Sequence, residues 1–151
     1  MTRVEDPGAP PMITVERIDA LRDVVRLWRG EGARIGFVPT MGSLHAGHMS
    51  LLSAARFRAD RVIASVFVNP LQFGPTEDFA RYPRTLDDDS RLASERGVDY
   101  MFTPTQADMY PSHAPVVLIH PGSVGKEWEG AVRPHHFEGV LTVVAKLFHI
   151  V

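Results

Sequence analysis

The stretch Val62-Ile63-Ala64-Ser65-Val66-Phe67-Val68 is the part of the sequence that most directly indicates the fold. Ser65 is its only polar residue, and a nearly unbroken apolar run is typical of a strand that is covered on both faces of a parallel sheet. Asn69-Pro70 follows, and it predicts the end of the strand because proline cannot donate to a central ladder. The stretch therefore predicts a sheet with helices packed on both sides.

Further strands and helices alternate on either side of this stretch. Shorter strands are predicted at Arg34–Val38, where Pro39 would stop the strand, at Tyr100–Phe102 and at Val116–Ile119. Helical spacing of apolar residues covers four segments, which are Thr14–Gly30 with Thr14 as the cap, Leu44–Arg58, Thr85–Gly97 and Phe137–Val151. Alternating strands and helices predict an α/β fold with a doubly wound parallel sheet and helices on both faces.

Composition narrows the class of protein. The chain has 151 residues, of which 44% are hydrophobic and 23% charged, as in a globular domain. Its net charge of −2 gives no basic field for nucleic acid or a membrane surface. It has no cysteine, which excludes disulfides, thiolate nucleophiles and cysteine-bound metals and fits a cytoplasmic location. No apolar run suggests a membrane helix or a signal peptide, so we expect a flexible extension over residues 1–11 and one domain over 12–151.

The first candidate site is the loop Val38–His48, because ligands of such sheets bind beyond the carboxyl ends of the strands. Gly42 permits a tight turn, and the N–H groups of the following helical turn form an anion site. His45 and His48 are three residues apart, so they share a helix face and could bind phosphate or donate a proton. Ordinary surface histidines and a metal site are the alternatives, although no carboxylate or cysteine lies nearby to complete a metal site.

Two further segments carry polar side chains that could bind a ligand. Asn69 and Gln72 are amides at the end of a predicted strand and suit a small polar ligand, although Asn69 could instead bond its own turn. Arg133 and His136 open the last helix and could stabilise phosphate, unless they belong to a solvated basic loop. The acidic run Asp87-Asp88-Asp89 is expected to be a solvated helix start.

The motifs also resemble those of a known family. His45-Ala46-Gly47-His48 is similar to the HIGH signature of nucleotidyl-transferring enzymes. Four longer strings, in order, resemble pantothenate synthetase, also called pantoate–β-alanine ligase. They are Val38-Pro39-Thr40-Met41-Gly42-x-Leu44-His45-x-Gly47-His48, Phe67-Val68-Asn69-Pro70-x-Gln72-Phe73, Glu77-Asp78-Phe79-x-x-Tyr82-Pro83-Arg84-Thr85 and Arg133-Pro134-x-His136-Phe137-x-Gly139-Val140. The resemblance covers Ile13–Val151 and implies a Rossmann-like domain.

The resemblance implies an activity and a role for each matched residue. The activity is the ATP-dependent condensation of pantoate with β-alanine through a pantoyl-adenylate, with Mg²⁺ and in a homodimer. It implies that ATP lies against Pro39, Thr40, Met41, Gly42, Ser43, Leu44, His45, Ala46, Gly47 and His48. His45 and His48 would be the catalytic residues that bind its phosphates, and His48 would be the proton donor. Pantoate and β-alanine would contact Gln72, Met41, Asn69, Tyr82, Arg133 and His136. No residue is assigned to a metal.

One departure from the family limits this expectation. Family members are nearly twice as long and carry Gly-Glu-Lys-Asp and Ser-Ser-Arg-Asn segments at the ATP site, and neither string occurs here. The last helix also ends on apolar Phe148-His149-Ile150-Val151, which suggests an open helix end. We therefore expect that the family's smaller C-terminal domain is absent and that this chain alone has impaired activity. Another HIGH-type adenylyltransferase and a non-catalytic nucleotide-binding domain are the alternatives.

Overall fold

The fold is centred on a parallel sheet. The structure is a computed structural model that describes residues 11–74, 79–112 and 115–151. Within them, four strands pair in the order β1-β4-β3-β2, all parallel. The strands are β1 (Ile13–Val15), β2 (Ile35–Thr40), β3 (Arg61–Val66) and β4 (Tyr100–Phe102). The stretch that indicated the fold from the sequence thus supplies an inner strand, β3.

Helices cover both faces of this sheet. They are α1 (Ile18–Gly30), α2 (Ala46–Arg58), α3 (Leu86–Ser94), α4 (Gln106–Met109), α5 (Glu129–Val132) and α6 (His136–Ile150). On one face α1 and α6 pack around Ile63, and on the other α2 and α3 pack around Val62 and Ala64. Successive β3 side chains therefore enter opposite cores, as expected for a strand. The predicted doubly wound α/β fold is confirmed.

The predicted helix start at Thr14 is wrong. Ile13–Val15 forms β1, which pairs with β4, and Val15 packs against the core that includes α1 and α6. α1 begins at Ile18 after Arg17, whose side chain makes no capping hydrogen bond. The pairing with β4 places this segment in the sheet, and its sequence contains no sign of that partner.

The prediction that Pro39 stops the second strand is also wrong. β2 runs on to Thr40, with Pro39 opposite Ser65 of β3. The carbonyls of Arg34 and Thr40 accept bonds from β3 and the residue after it. Because backbone groups alternate in direction along a strand, the nitrogen of Pro39 faces the open edge, where the missing N–H costs no ladder bond.

The predicted strand at Val116–Ile119 does not form, and its apolar side chains are exposed instead. The expectation of an open apolar helix end fails for Ile150 and Val151, which are buried in the core with α1. Short 3₁₀ turns at Pro70–Gln72 and Phe79–Arg81 lie in the stretch between β3 and α3. Most of the predicted extension, residues 1–10, and the motif residues Glu77 and Asp78 lie outside the described residues.

Among the described residues, no helix is long and apolar enough to cross a membrane.

Candidate active site

A cavity of about 220 Å³ opens where β2 ends and β3 turns into the following loop. Its wall includes the predicted site residues Met41 and His48 from the first motif and Gln72 from the second. The other lining residues are Pro39, Thr40, Phe67, Val140, Val143, Val144 and Leu147. Pockets for drug-sized ligands measure about 300 to 1,000 Å³, so this cavity suits a compound with few heavy atoms.

Two histidines cap the start of α2. His45 precedes the helix, and its Nδ1 accepts from the Gly47 N–H at 3.1 Å. His48 Nδ1 accepts in turn from the His45 N–H at 3.3 Å, and the two ring centroids are 4.1 Å apart. A ring nitrogen that accepts carries no proton, so the neutral form of each imidazole has its proton on Nε2. Each histidine therefore keeps one N–H donor for a ligand.

The environment of His48 favours its neutral form. Burial lowers the pKa of His48 below its usual value of 6.5, and neighbouring His45 lowers it further, against an opposing effect of Asp89. An imidazolium would also lose the Nδ1 acceptor that holds the His45 N–H. At neutral pH the geometry thus presents His48 as a hydrogen-bond donor through Nε2.

The turn before α2 is held differently from the sequence-based expectation. Gly42 has φ +88° and Ser43 has φ +51°, both in the left-handed region. The Ser43 and Leu44 N–H groups donate to the two carboxylate oxygens of Asp89, at 3.0 and 2.7 Å. These two amides are already bonded, so the predicted anion site does not include them. The interpretation of Asp87–Asp89 as a solvated run is wrong for Asp89, which is 1% exposed.

Gln72 links the first motif to the second. Its Nε2 donates to the Met41 Sδ at 2.9 Å, and its Oε1 accepts from Asn69 Nδ2 at 3.1 Å. The side chain is 8% exposed and lies on the cavity wall. It is therefore positioned by both neighbours and can exchange the weak thioether contact for a ligand oxygen.

Asn69 is buried beneath Gln72 and is fully hydrogen-bonded. Its Oδ1 accepts from the Tyr110 hydroxyl at 2.9 Å and from the Leu71 N–H at 3.3 Å. Its Nδ2 donates to Gln72 and to the Gly139 carbonyl at 3.0 Å. An amide has two hydrogens and two lone pairs, so these four bonds use its whole capacity.

Arg133 and His136 contact the backbone of Gln72. Arg133 Nη2 donates to the Gln72 carbonyl at 3.0 Å, and His136 Nδ1 lies 2.9 Å from the same oxygen. Gly139 allows this approach, because a Cβ there would lie 2.4 Å from the Leu71 carbonyl oxygen. The start of α6 is thus fitted against the turn that carries Gln72.

Tyr82 lies in an aromatic group rather than on the cavity wall that the described residues form. Its ring centroid is 5.8 Å from that of Phe73, which also makes an edge-to-face contact with Phe79. Burial, and then the charge of Asp89, raise the pKa of Tyr82. A second cavity of about 320 Å³ adjoins Met41 on the α3 side.

The structure therefore gathers part of the predicted set. Pro39, Thr40, Met41, His48 and Gln72 share one cavity, and Asn69, Arg133 and His136 surround the Gln72 turn. Gly42, Ser43 and Leu44 form the turn that Asp89 holds, and His45, Ala46 and Gly47 lie at the start of α2. Three residues that support the site, Asp89, Tyr110 and Gly139, were not singled out for that role by their sequence patterns.

Comparisons with known proteins identify the family of the chain. The family model for pantoate-beta-alanine ligase matches residues 13–151, which is most of the chain. The chain belongs to the pantoate-beta-alanine ligase family. The membership accounts for the four sequence motifs, which fall on the two histidines, the Gln72 turn, the aromatic group and the start of α6.

Individual pantoate-beta-alanine ligases are similar over the same span. The chain is 50% identical over 141 residues to pantothenate synthetase from Hydrogenovibrio crunogenus, covering 93% of this chain and 50% of that protein. The synthetase from Acidothermus cellulolyticus is 60% identical over 117 residues, covering 78% of this chain and 38% of the relative. The chain thus spans about half the length, or less, of these curated relatives.

Solved structures of the family share the fold. Pantothenate synthetase from Thermus thermophilus superposes with a TM-score of 0.83 at 50% identity, over 93% of this chain and 49% of that one. The ligase from Francisella tularensis, solved in complex with beta-gamma ATP and beta-alanine, gives a TM-score of 0.84 at 41% identity, over 92% and 53%.

Proposed function

We propose that this chain supplies the pantoate- and ATP-binding part of a pantoate–β-alanine ligase. The pantoate carboxylate attacks the α-phosphorus of ATP, the bond to pyrophosphate breaks, and a pantoyl-adenylate forms. The amine of β-alanine then attacks the acyl carbon and AMP leaves. The observation that carries the proposal is the cavity that brings Met41, His48 and Gln72 together beside the pair of imidazoles.

Pantoate is assigned to the 220 Å³ cavity. The Gln72 amide offers a donor and an acceptor to a hydroxyl or carboxylate, and Met41 lies beside it. The apolar side chains of Val140, Val143 and Leu147 line the same space and suit the apolar part of the substrate. The cavity thus orients the attacking carboxylate toward the start of α2, where His48 lies.

ATP is assigned to the loop Pro39–His48. Its phosphates are held by the Nε2–H groups of His45 and His48, with the N-terminus of α2 behind them. Charge stabilisation and in-line positioning carry the first step, and no protein nucleophile is needed. His48 acts as proton donor to the departing phosphate only in its imidazolium form, and in the neutral form that its surroundings favour its Nε2–H gives the phosphate a hydrogen bond instead.

The remaining predicted residues are assigned supporting roles. Asn69 has no hydrogen-bonding capacity left, so it positions Gln72 instead of binding substrate through its side chain. Arg133 and His136 hold the carbonyl of the same residue and thereby fix its turn. Tyr82 packs against Phe73 away from the cavity wall, so its predicted contact with substrate stays a prediction that the cavity does not support.

Mg²⁺ belongs to the proposal as the counter-ion of ATP. The described residues contain no group of three or more metal-ligating side chains, and both carboxylate oxygens of Asp89 accept backbone bonds. Mg²⁺ commonly binds through substrate phosphates and few protein ligands, so it would arrive with the nucleotide. No step depends on a metal ligand from this chain.

A homodimer and a cytoplasmic location complete the proposal. The exposed apolar residues Val116, Val117 and Leu118 support a contact between subunits. The absence of cysteine from the sequence supports a reducing compartment. Sedimentation of the purified chain tests the dimer, and a monomer at all concentrations would contradict it.

Exchange of labelled pyrophosphate into ATP tests the proposed first step. We expect exchange that requires pantoate, that is weak because the chain spans half of its relatives, and that His48→Ala abolishes. Gln72→Ala should raise the pantoate concentration needed. His149→Ala provides the matched control, because His149 is exposed and lies outside both the loop Pro39–His48 and the 220 Å³ cavity. Exchange without pantoate would indicate another adenylyltransferase, and nucleotide binding without exchange would indicate a non-catalytic domain.

A further inference from the structure

Asp89 connects α3 to the turn that precedes the two histidines. Its Oδ1 accepts from the Leu44 N–H at 2.7 Å, and its Oδ2 accepts from the Ser43 N–H at 3.0 Å and from the Thr85 hydroxyl at 3.2 Å. The side chain is 1% exposed, although it belongs to a run of three aspartates at the start of a helix. A buried carboxylate with three donors is a fixed part of the structure, whereas its neighbours Asp87 and Asp88 are exposed.

The turn Gly42–Leu44, which Asp89 holds, has a backbone conformation that is unfavourable without outside support. Ser43 has φ +51°, and the left-handed region costs a residue with a side chain about 1 to 2 kcal/mol. Such a conformation persists only where its surroundings hold it in place. Successive N–H groups that converge on one carboxylate provide that hold.

We propose that Asp89 is a positioning residue that fixes the turn Gly42–Leu44 and, through it, the placement of His45 and His48. Leu44 is joined directly to His45, which caps α2, so a shift of the turn moves both imidazoles. Gly42 packs closely against the same carboxylate, because a Cβ at this position would lie only 3.0 Å from Asp89 Oδ2. This inference rests on the proposed function only for its effect on ATP.

The proposal has a consequence for phosphate recognition. Asp89 already occupies the amides of Ser43 and Leu44, and its negative charge lies beside them. A phosphate group is therefore kept from these two N–H groups and directed to the imidazole Nε2 atoms. Asp89 thus determines which donors of the loop meet the nucleotide.

Amide hydrogen exchange and ATP titration of the 151-residue chain test the proposal together. In Asp89→Asn an amide NH₂ replaces one accepting oxygen, so at least one turn N–H loses its partner. We expect the hydrogen-exchange rates of the Ser43 and Leu44 amides to rise at least about tenfold. We also expect the Kd for ATP to rise about tenfold, which corresponds to about 1.4 kcal/mol of binding free energy. Asp87→Asn is the matched control, because it removes the same charge from an exposed position of the same helix turn.

Both measurements are made at a temperature where circular dichroism shows each variant folded. Unchanged exchange at Ser43 and Leu44 in Asp89→Asn would overturn the proposal, as would equal weakening of ATP binding in Asp87→Asn. If Asp89→Asn does not fold, Thr85→Val decides alone, because among the described residues the Thr85 hydroxyl makes no capping bond and donates to Asp89. Faster exchange of the Ser43 amide would then support the proposal, and unchanged exchange would overturn it. If the parent chain binds no ATP, the proposed function fails while the exchange data still decide the role of Asp89.

Discussion

The site has two polar parts, the histidine pair His45 and His48 and the amide pair Asn69 and Gln72. They differ in how far along the chain their hydrogen-bond partners lie. The histidines bond to backbone groups two and three residues away along the chain. The amides bond to Met41, Tyr110 and Gly139, which lie 31, 41 and 70 residues from their partners. We infer that changes around the histidine pair alter binding with little effect on stability, whereas changes around the amide pair alter both.

The largest effect is expected from Gly139→Ala. Its Cβ would lie 2.4 Å from the Leu71 carbonyl oxygen and 2.7 Å from the Gln72 N, both backbone atoms that cannot turn away. We expect a loss of about 3 kcal/mol in the free energy of unfolding. Gly30→Ala is the control, because no described atom beyond its chain neighbours and its own helix backbone would lie within 4 Å of its Cβ. Urea unfolding measures both, and equal stability of the two variants would contradict the account of the amide pair.

Asn69→Ala is expected to have the next largest effect. It leaves the buried Tyr110 hydroxyl without its acceptor and removes the additional bond to the Gly139 carbonyl, which costs about 2 kcal/mol or more. Tyr110→Phe removes only one of these bonds and should cost about 1 kcal/mol. A double-mutant cycle in urea tests the coupling, and additive losses would show that the two side chains do not act together.

Gly47→Ala should separate binding from stability. A Cβ at this position would lie 2.9 Å from Cε1 of the His45 ring, which must move. Alanine favours a helix by about 1 kcal/mol over glycine, so the free energy of unfolding should change by no more than that. ATP affinity measured by calorimetry should still fall. Unchanged affinity would show that the position of His45 does not matter for the nucleotide.

The smallest effect is a pH dependence of stability from His48. Its pKa in the folded chain lies below the value of 6.5 expected when the chain is unfolded, chiefly because of burial. The unfolded chain therefore binds more protons at mildly acidic pH, and stability falls as the pH drops below about 6.5. Unfolding of the parent and of His48→Gln between about pH 8 and pH 5 measures this contribution. The difference between the two should shrink on the acid side, and a constant difference would contradict it.

The contrast between local and long-range contacts also explains which features the sequence could predict. β3, the two helix faces and the spacing of His45 and His48 depend on local patterns, and the structure confirms the fold that they predict. The apolar run Val116–Ile119 has strand-like composition but does not pair in the sheet, and β1 pairs without a pattern of its own. The amino-acid composition of a segment does not determine whether it pairs with a neighbouring strand.

Sequence patterns did not reveal the roles of the residues that support the site, although Gly139 stands in a family motif, for a related reason. Asp89 stands in an acidic run whose members look alike, and only its position on α3 relative to the turn Gly42–Leu44 distinguishes it. Tyr110 and Gly139 meet Asn69 only after the chain has folded. The family resemblance pointed to both Asn69 and Gln72. The contacts of Asn69 show that it bonds to Gln72 and has no further hydrogen-bonding capacity, so it supports Gln72.

Nuclear magnetic resonance mapping of pantoate binding tests the central claim most directly, because two cavities adjoin Met41. Pantoate is added to the labelled chain in the presence of a non-hydrolysable ATP analogue. We predict that shifts concentrate at His48, Gln72 and Val143 around the 220 Å³ cavity and disappear in Gln72→Ala. Shifts concentrated at Arg84, Thr85 and Gln106 around the second cavity, or shifts unchanged by Gln72→Ala, would contradict the account.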